Sequence, residues 1–266
     1  MLRDRCLILE NKKVAPGHYV LKMRAPGIAR AARPGQFAQI ICADSFDPLL
    51  PRPFSFLTAD KKDISVLYQV VGKGTHLLSR IKKGETLGVI GPLGNGFGPG
   101  SSAEISILVG GGVGIPPLLH LAQQRVKKNK ASRKGIHVFL GARHKSLLLC
   151  QKDFKRLGVT LHLATDDGSK GKKGFVTVLL EEFLKDTDTR LAKIYTCGPT
   201  PMLRAVSALA SKFDVSCEVS VEVPMACGFG ACLGCAIKVR GTGQDHRFAI
   251  ACCEGPVFEG SNILWE

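Results

Sequence analysis

The chain has 266 residues, of which 45% are hydrophobic and 22% are charged, so it can form two or three modest domains and is too apolar to be disordered. Its 37 lysines and arginines outnumber 22 acidic residues and give a net charge of +15. The basic residues lie in short runs without interleaved aromatics, which predicts a solvated face that attracts anionic nucleotides or an acidic partner. We therefore expect no nucleic-acid partner.

The cysteines and the apolar stretches bear on the cellular compartment of the chain and on its association with membranes. Ten cysteines are scattered along the sequence, which is unlike a secreted disulfide scaffold and predicts a reducing, cytoplasmic environment. The first ten residues contain no apolar core of signal-peptide length. The most apolar stretch, residues 105–122, is interrupted by glycines and prolines, so we expect no membrane partner.

The first part of the chain has the pattern of a small antiparallel β-barrel. Between residues 5 and 98, short β segments alternate with glycine and proline turns. The predicted strands are residues 6–10, 19–24, 37–42, 53–59, 64–71 and 86–90.

Two segments of this predicted barrel suit a nucleotide. Arg52 lies between two prolines at the head of a strand, where its planar cation could bind a pyrophosphate and Ser55 could donate to a ring nitrogen. A surface arginine beside an edge-strand proline is the plainer interpretation. Residues 67–76 run from a strand through a glycine loop into a predicted helix over 75–81, whose N-terminus favours phosphate. The alternative is a simple turn with Thr75 as the helix cap.

After residues 98–102 the pattern changes to alternating strands and helices, which is typical of a parallel sheet. The predicted strands are residues 105–109, 136–140, 160–164 and 193–197, and the predicted helices are 118–126, 147–156, 175–184 and 201–213. Ligands of such sheets lie at the carboxyl ends of the strands. Four segments occupy predicted strand ends, namely 110–117, 141–143, 165–168 and 197–202.

The last fifty residues contain a cysteine motif between a predicted strand over 216–222 and a hairpin of 236–240 with 248–251 across the glycines of 241–243. Cys227, Cys232 and Cys235 have the spacing C-x4-C-x2-C, and a remote thiol follows at Cys252 or Cys253. Three close cysteines and one remote cysteine are typical of a plant-type [2Fe–2S] cluster. A zinc site, which usually has two C-x2–4-C pairs, and unliganded core thiols are the alternatives. On an extended chain, consecutive side chains point to opposite sides, so only one of the last two cysteines would ligate.

Taken together, these segments resemble the electron-transfer subunits of dihydroorotate dehydrogenase B, in the ferredoxin-reductase superfamily. The resemblance spans nearly the whole chain and rests on residues 52–55, 70–75, 91–97, 109–118, 164–169, 196–199, 225–228 and 254–258. It implies an FAD-binding β-barrel over residues 1–99, an NAD-binding α/β domain over 100–213 and a [2Fe–2S] module over 214–266.

The resemblance also implies roles for individual residues. The barrel residues expected to contact FAD are Arg52, Pro53, Phe54, Ser55, Leu67, Tyr68, Gln69, Gly74 and Thr75. The residues expected to contact NAD are Gly110, Gly111, Gly112, Gly114, Cys197, Gly198 and Pro199. Asp166 would repel a 2′-phosphate and so favours NAD over NADP, although the lysines of 170–173 keep NADP open. Cys252 matches the family's fourth cluster ligand and Cys253 does not.

The function implied by this resemblance is electron transfer in de novo pyrimidine biosynthesis. A catalytic FMN-containing partner would oxidise dihydroorotate, and electrons would pass through [2Fe–2S] and FAD to NAD+, in a heterotetramer with two copies of each chain. No catalytic acid or base is expected in this chain. The alternatives are a related subunit of a sulfide dehydrogenase, a hydrogenase or a ferredoxin:NADP transhydrogenase, and, from another class, a zinc-containing nucleic-acid-binding protein.

Overall fold

A computed structural model describes residues 1–100, 105–241 and 245–265. Six antiparallel strands close a barrel in the order β1-β2-β5-β4-β3-β6. Their bounds are β1 (Leu2–Ala15), β2 (His18–Arg24), β3 (Phe37–Ile41), β4 (Arg52–Ala59), β5 (Asp63–Gln69) and β6 (Thr86–Leu93). Alternate side chains point inward, as Cys6 with Ile8 and Ala38 with Ile40 illustrate, and they form the buried barrel core. The predicted barrel is thus confirmed.

Two helices belong to the barrel region, α1 (Pro26–Ala31) and α2 (Lys73–Arg80). The short α1 was not predicted, because a six-residue segment with a proline and a glycine in its first turn has weak helix propensity. Helix α2 begins two residues before its predicted start, so Thr75 lies inside its first turn. The alternative, in which Thr75 is the N-cap residue of the helix, is therefore wrong.

The second unit is a twisted sheet with helices packed against it. Its strands are β7 (Ile105–Gly111), β8 (Ile136–Ala142), β9 (Thr160–Thr165), β10 (Lys172–Lys173), β11 (Ala192–Cys197), β12 (Ser216–Ser220) and β15 (Val257–Glu259), and its helices are α3 (Ile115–Lys128), α4 (Gln151–Leu157), α5 (Val176–Asp186) and α6 (Thr200–Lys212). The strand order is β10-β9-β8-β7-β11-β12-β15, and only the pairing of β15 is antiparallel. The predicted parallel sheet is confirmed.

Short 3-10 helices connect several of these elements, at Gly112–Gly114, Lys130–Gly135, Lys145–Leu147, Thr189–Leu191 and Gly260–Asn262. The predicted helix over residues 147–156 is not continuous. A 3-10 helix ends at Leu147, and α4 covers only the second part of the predicted range. Cys150 has a φ of 58°, in the left-handed region, so α4 begins only after it. The sequence pattern of apolar residues gave no sign of this break.

The remaining strands, β13 (Ala236–Arg240) and β14 (His246–Ile250), pair as the predicted hairpin. Residues 242 and 243 of its predicted turn and residues 101 and 102 of the predicted linker lie outside the described residues. Because β12 and β15 extend the α/β sheet, that sheet continues past residue 213. The limits 1–99, 100–213 and 214–266 stay predictions.

A small apolar cluster joins the C-terminal region to the barrel. Phe37 and Leu93 of the barrel pack with Cys235, Ala251 and Cys252. The cysteine loop is thus attached to the barrel wall through a shared core. In the described part of the chain, no helix has the length and apolarity needed to cross a membrane.

Candidate functional site

A cavity of about 310 Å³ opens between the barrel, the carboxyl edge of the sheet and the segment that precedes the cysteine loop. Residues from the predicted FAD and NAD sets meet in its walls, namely Arg52, Pro53, Phe54, Ser55, Leu67, Tyr68, Gln69, Thr75 and Cys197. The volume suits part of a large ligand. The structure therefore brings the barrel motif, the glycine loop after β5 and the end of β11 to one site.

The barrel side of the cavity offers a cation beside a helix N-terminus. The Nη1 atom of Arg52 donates to the carbonyl oxygens of Leu50 at 2.7 Å and Pro51 at 3.3 Å, so the backbone entering β4 holds the guanidinium. The Thr75 hydroxyl oxygen accepts from the backbone N–H groups of Val71 at 2.9 Å and Gly72 at 3.1 Å. Gly74 is buried in the same first turn of α2. A cation and a rigid helix start together favour a phosphate group.

Aromatic rings form the flat part of the barrel wall. Tyr68 is 1% exposed and stacks on Tyr19 with ring centroids 5.6 Å apart, and Phe54 meets it edge-on at 5.8 Å. The Tyr68 hydroxyl donates to Oδ1 of Asn11 at 3.1 Å. Burial raises the pKa of Tyr68 to about 12, so the phenol stays neutral. This rigid wall is suited to a planar ring system.

The opposite wall is formed where two turns of the sheet meet. The glycine turn after β7 reaches the cavity through Val113, and the end of β11 reaches it through Cys197. A Cβ atom on Gly114 would lie 2.4 Å from the Gly198 nitrogen, so only glycine allows this contact. Burial, with the nearby Glu222 carboxylate, raises the pKa of the Cys197 thiol and keeps it neutral.

The remaining predicted nucleotide residues lie outside the cavity lining. Gly110, Gly111, Gly112, Gly198 and Pro199 lie in or beside the two turns. Asp166 is exposed after β9, and its backbone N–H donates to the Ala142 carbonyl oxygen at 3.0 Å. Two strands, β8 and β7, separate β9 from β11, so Asp166 lies along the sheet edge from Cys197. An elongated ligand could contact both ends.

Sequence reasoning missed half of the residues that line the cavity. Phe37 of β3 and residues 220–225 also line the cavity. Desolvation raises the pKa of the Glu222 carboxyl on the cavity side, although the residue keeps an exposed surface. The strand-end rule could have found the residues after β12, because β12 is one of the parallel strands. The cysteine motif that follows residues 216–222 instead suggests a separate module for them.

The cysteine loop places its thiols in two groups. Cys227 lies beside Cys232, and Cys235 and Cys252 lie together with the Cys252 backbone N–H donating to the Cys235 Sγ at 3.3 Å. Against a raising effect of burial, backbone N–H groups of the loop, led by that of Phe229, lower the pKa of Cys227 to about 6. Such N–H groups stabilise the thiolate form that a metal cluster requires.

These thiols have the donor chemistry of a dinuclear cluster. In residues 1–100, 105–241 and 245–265, no three His, Cys, Asp or Glu side chains converge as ligands of a single ion. Two pairs of thiols, with N–H donors around one of them, match a [2Fe–2S] cluster, in which four cysteines ligate two irons. We therefore conclude that the residues present fit the cluster.

The assumption of an extended chain at the fourth ligand was wrong. Residues 251–254 form a turn, in which the N–H groups of Cys253 and Glu254 donate to the Ile250 carbonyl oxygen at 2.9 and 2.8 Å. The Cys252 and Cys253 Sγ atoms consequently lie 3.7 Å apart rather than on opposite sides. Cys252 is buried and Cys253 is exposed.

Comparisons with known proteins agree with this architecture. Residues 108–208 match the family model of an oxidoreductase NAD-binding domain, and residues 222–264 match that of the iron-sulfur cluster binding domain of dihydroorotate dehydrogenase B. The chain is 41% identical to the dihydroorotate dehydrogenase B (NAD(+)) electron transfer subunit of Desulforamulus reducens, over 97% of both chains. It is 39% identical to the subunit of that name from Caldanaerobacter subterraneus subsp. tengcongensis, again over 97% of both.

A solved structure is also similar along nearly the whole length. The NADH-dependent reduced ferredoxin-NADP oxidoreductase superimposes with a TM-score of 0.84 and 31% identity, covering 98% of this chain and 90% of the other. Barrel, parallel sheet and cysteine loop thus define an oxidoreductase of the ferredoxin-reductase type with a C-terminal iron–sulfur domain. Within that class, the chain belongs to the family of dihydroorotate dehydrogenase B (NAD+) electron transfer subunits, which confirms the resemblance found in the sequence.

Proposed function

We propose that this chain carries electrons between a catalytic partner that oxidises dihydroorotate and NAD+, by way of a [2Fe–2S] cluster and FAD. One observation carries the proposal. A single cavity is bounded by the barrel, by Cys197 at the sheet edge and by residues 220–225, which lead directly into the cysteine loop. A ligand in this cavity is therefore adjacent to both the nucleotide turn and the cluster segment.

The barrel wall of the cavity is the proposed FAD site. Arg52 and the start of α2, with Gly74 and Thr75, bind the pyrophosphate, because a planar cation and helix N–H groups complement its charge. Pro53, Phe54, Ser55 and the strand of Leu67, Tyr68 and Gln69 orient the ring system. Bound flavin supplies the exchange between two-electron hydride transfer and single-electron transfer.

The sheet edge is the proposed NAD site. The dinucleotide lies along the turn of Gly110, Gly111, Gly112 and Gly114, with Cys197, Gly198 and Pro199 at the nicotinamide end. Asp166 contacts the ribose hydroxyls at the other end and excludes a 2′-phosphate by charge repulsion. The neutral Cys197 thiol adds no charge beside the nicotinamide ring.

The cysteine loop is the proposed cluster site, with Cys227, Cys232, Cys235 and Cys252 as ligands. The backbone N–H groups that lower the pKa of Cys227 hold its thiolate. All ten cysteines are free of disulfide bonds, which supports a reducing compartment such as the cytoplasm.

The same loop is the proposed contact with the partner. Phe229 and Leu233 are 45% and 61% exposed on the loop, and Phe248 is 62% exposed on the neighbouring hairpin. Exposed large apolar side chains gathered around a functional group are typical of protein interfaces. The partner is an FMN-containing dihydroorotate dehydrogenase, and two copies of each chain form the assembly.

Capture of this chain with its partner tests the proposal. The tagged chain is purified anaerobically from its native cells, and the eluate is assayed for dihydroorotate-dependent reduction of NAD+. Activity with a co-eluting FMN protein is the expected result. An eluate that contains flavin and iron–sulfur, oxidises NADH and ignores dihydroorotate would contradict the pyrimidine role.

A second candidate is favoured by one comparison. The similarity to the reduced ferredoxin-NADP oxidoreductase, at 31% identity over nearly the whole chain, supports a subunit with the same cofactors and a ferredoxin-linked partner. This candidate predicts that the captured partner transfers electrons between ferredoxin and NADP and contains no dihydroorotate site. The same eluate, assayed with reduced ferredoxin and NADP+, distinguishes the two.

A further inference from the structure

Two amide side chains of the barrel contact the two separate segments that hold the cluster ligands. We propose that Gln39 and Asn95, here called the amide clamp, are positioning residues that fix the iron–sulfur cluster relative to the flavin cavity. The inference rests on the proposed function for the presence of both cofactors. It adds that the barrel, and not the small C-terminal segment alone, determines where the cluster lies.

Gln39 contacts the segment with three of the four ligands. It lies on β3 between Ala38 and Ile40, which point into the barrel core, so its own side chain points out of the barrel. Its Nε2 atom donates to the Ala226 carbonyl oxygen at 3.4 Å. Gln39 is nevertheless 0% exposed, because the cysteine loop covers it.

The loop lies directly on the Gln39 amide. A Cβ atom on Gly228 would be 2.6 Å from both Cγ and Nε2 of Gln39, and Gly228 has a φ of +82°. Glycine is therefore required next to Cys227, both for the backbone conformation and for the close approach. Any change in the size or orientation of the Gln39 side chain displaces the first cluster ligand.

Gln39 also carries an unsatisfied polar atom. In the described residues, its buried Oε1 has no hydrogen-bond partner. A buried carbonyl oxygen without a donor is destabilising, and a hydrocarbon side chain of similar length would avoid that cost. A buried polar group with an unsatisfied atom therefore calls for a role beyond filling the core.

Asn95 contacts the segment with the fourth ligand. Its Nδ2 atom donates to the carbonyl oxygens of Cys253 and Glu254, each at 3.0 Å. Its backbone N–H donates to the Gly255 carbonyl oxygen at 2.5 Å. These three bonds fix the turn that follows Cys252, and that turn determines the direction of the Cys252 side chain.

The two members of the clamp are attached to neighbouring strands. Gln39 on β3 pairs with Ile90 on β6, and Asn95 follows the end of β6 by two residues. On its other side β3 pairs with β4, where Phe37 lies opposite Ser55 of the cavity. Cluster ligands and cavity wall are thus held by the same three strands. Because electron transfer slows steeply with distance, this attachment sets the rate between the two cofactors.

Matched substitutions in the full chain test the clamp. Gln39→Met keeps the length and burial of the side chain and removes both polar atoms, and Asn95→Asp keeps the size and removes both donors. The control is Gln36→Met, since Gln36 also bridges barrel segments: its Oε1 accepts from the Arg33 backbone N–H at 2.9 Å and its Nε2 donates to the Gly94 carbonyl oxygen at 2.7 Å, and neither of these two bonds involves a cysteine segment. Each purified protein is reduced anaerobically by NADH, and flavin absorbance and the EPR spectrum of the cluster are followed.

The clamp predicts that both test variants change the EPR line shape and slow cluster reduction at least tenfold, as loss of outer contacts to metal ligands commonly does. Flavin reduction by NADH stays within twofold of the unsubstituted protein, and Gln36→Met changes neither quantity. Unchanged line shape and rate in both test variants would overturn the proposal, as would equal changes in the control.

A variant that holds no cluster is examined by hydrogen exchange of the cluster-free chain. Relative to the cluster-free unsubstituted chain, exchange at least tenfold faster in residues 225–235 for Gln39→Met, or in residues 251–255 for Asn95→Asp, with barrel amides unchanged, supports the clamp, whereas uniformly faster exchange contradicts it. All these readouts use the isolated chain. Failure of the proposed function appears instead as a missing dihydroorotate activity with the partner while the variant effects persist, so the two failures are distinguishable.

Discussion

The Sγ atoms of Cys252 and Cys253 lie 3.7 Å apart, yet Cys252 is 2% exposed whereas Cys253 is open to solvent. The Cys252 backbone N–H also donates to the Sγ of Cys235, a thiol that is equally buried. Cys252 therefore belongs to the buried pair, and Cys253 lies at its edge. This relationship supports Cys252 as the proposed fourth ligand.

Serine substitutions test that assignment. Cys252→Ser is expected to lose most of the iron and the visible absorbance of the cluster, because an alcohol is a poor replacement for a buried thiolate ligand. Cys253→Ser is expected to retain both and serves as the matched control. Iron and sulfide analysis with visible spectroscopy makes the measurement. A full cluster in Cys252→Ser and an empty site in Cys253→Ser would reverse the assignment.

Arg52 is expected to determine flavin affinity. Arg52→Ala removes a charge-assisted hydrogen bond worth about 1.5–3 kcal/mol, so the dissociation constant of FAD should rise roughly 10–100-fold. The dissociation constant of FAD for Arg52→Lys should lie between those of the unsubstituted chain and Arg52→Ala, because lysine keeps the charge and lacks the planar guanidinium group. Flavin fluorescence titration of the flavin-free chain gives the values. Arg24→Ala, which breaks an exposed ion pair with Asp63, is the control and should leave FAD affinity unchanged; equal losses in both would contradict the assigned role.

Asp166 is expected to select NAD over NADP. Asp166→Ala removes a negative charge beside the proposed ribose site, so kcat/KM with NADPH should rise roughly tenfold relative to NADH, consistent with a Coulomb term of about 1–4 kcal/mol. Steady-state reduction of an artificial acceptor provides the ratio. Asp186→Ala, at the end of α5, is the control. An unchanged ratio in Asp166→Ala would remove this residue from the nucleotide site.

His120 makes the fold sensitive to acid. It is 5% exposed on α3, and burial lowers its pKa from 6.5 to about 4. The unfolded chain therefore binds the proton more readily between pH 6.5 and pH 4, so stability falls as the pH falls through this window.

Relative to His120→Leu, the unsubstituted chain should lose about 2 kcal/mol of unfolding free energy between pH 7 and pH 5. Urea unfolding at both pH values measures the difference. His76→Leu, at an exposed position on α2, should retain the full pH dependence. Equal pH dependence in His120→Leu and the unsubstituted chain would show that His120 is not the group responsible.

Local patterns were enough to predict the barrel, the parallel sheet and the cysteine loop. Alternating strands, glycine turns at strand ends and the cysteine spacing each reflect short-range rules of backbone geometry. Family motifs assign Arg52 and Tyr68 to FAD and Cys197 to NAD, and the cavity brings all three together.

Long-range contacts could not be predicted in this way. The hydrogen bond from Gln39 to Ala226 spans 187 residues, and no local pattern marks either end of it. The break of a helix at Cys150 depends on a single backbone angle, its φ of 58°. The turn over residues 251–254 likewise leaves no local pattern in the sequence. The continuation of the sheet through β12 and β15 was missed because the cysteine motif suggested a separate module.

Anaerobic reduction of the isolated chain by NADH tests the central claim most directly. The measurement combines stopped-flow absorbance of the flavin with freeze-quench EPR of the cluster. The account predicts a red-brown protein in which flavin bleaches on mixing and the reduced-cluster signal follows at a rate that depends on Cys252. A colourless zinc-containing chain, or a flavin that is reduced while the cluster stays oxidised, would contradict it.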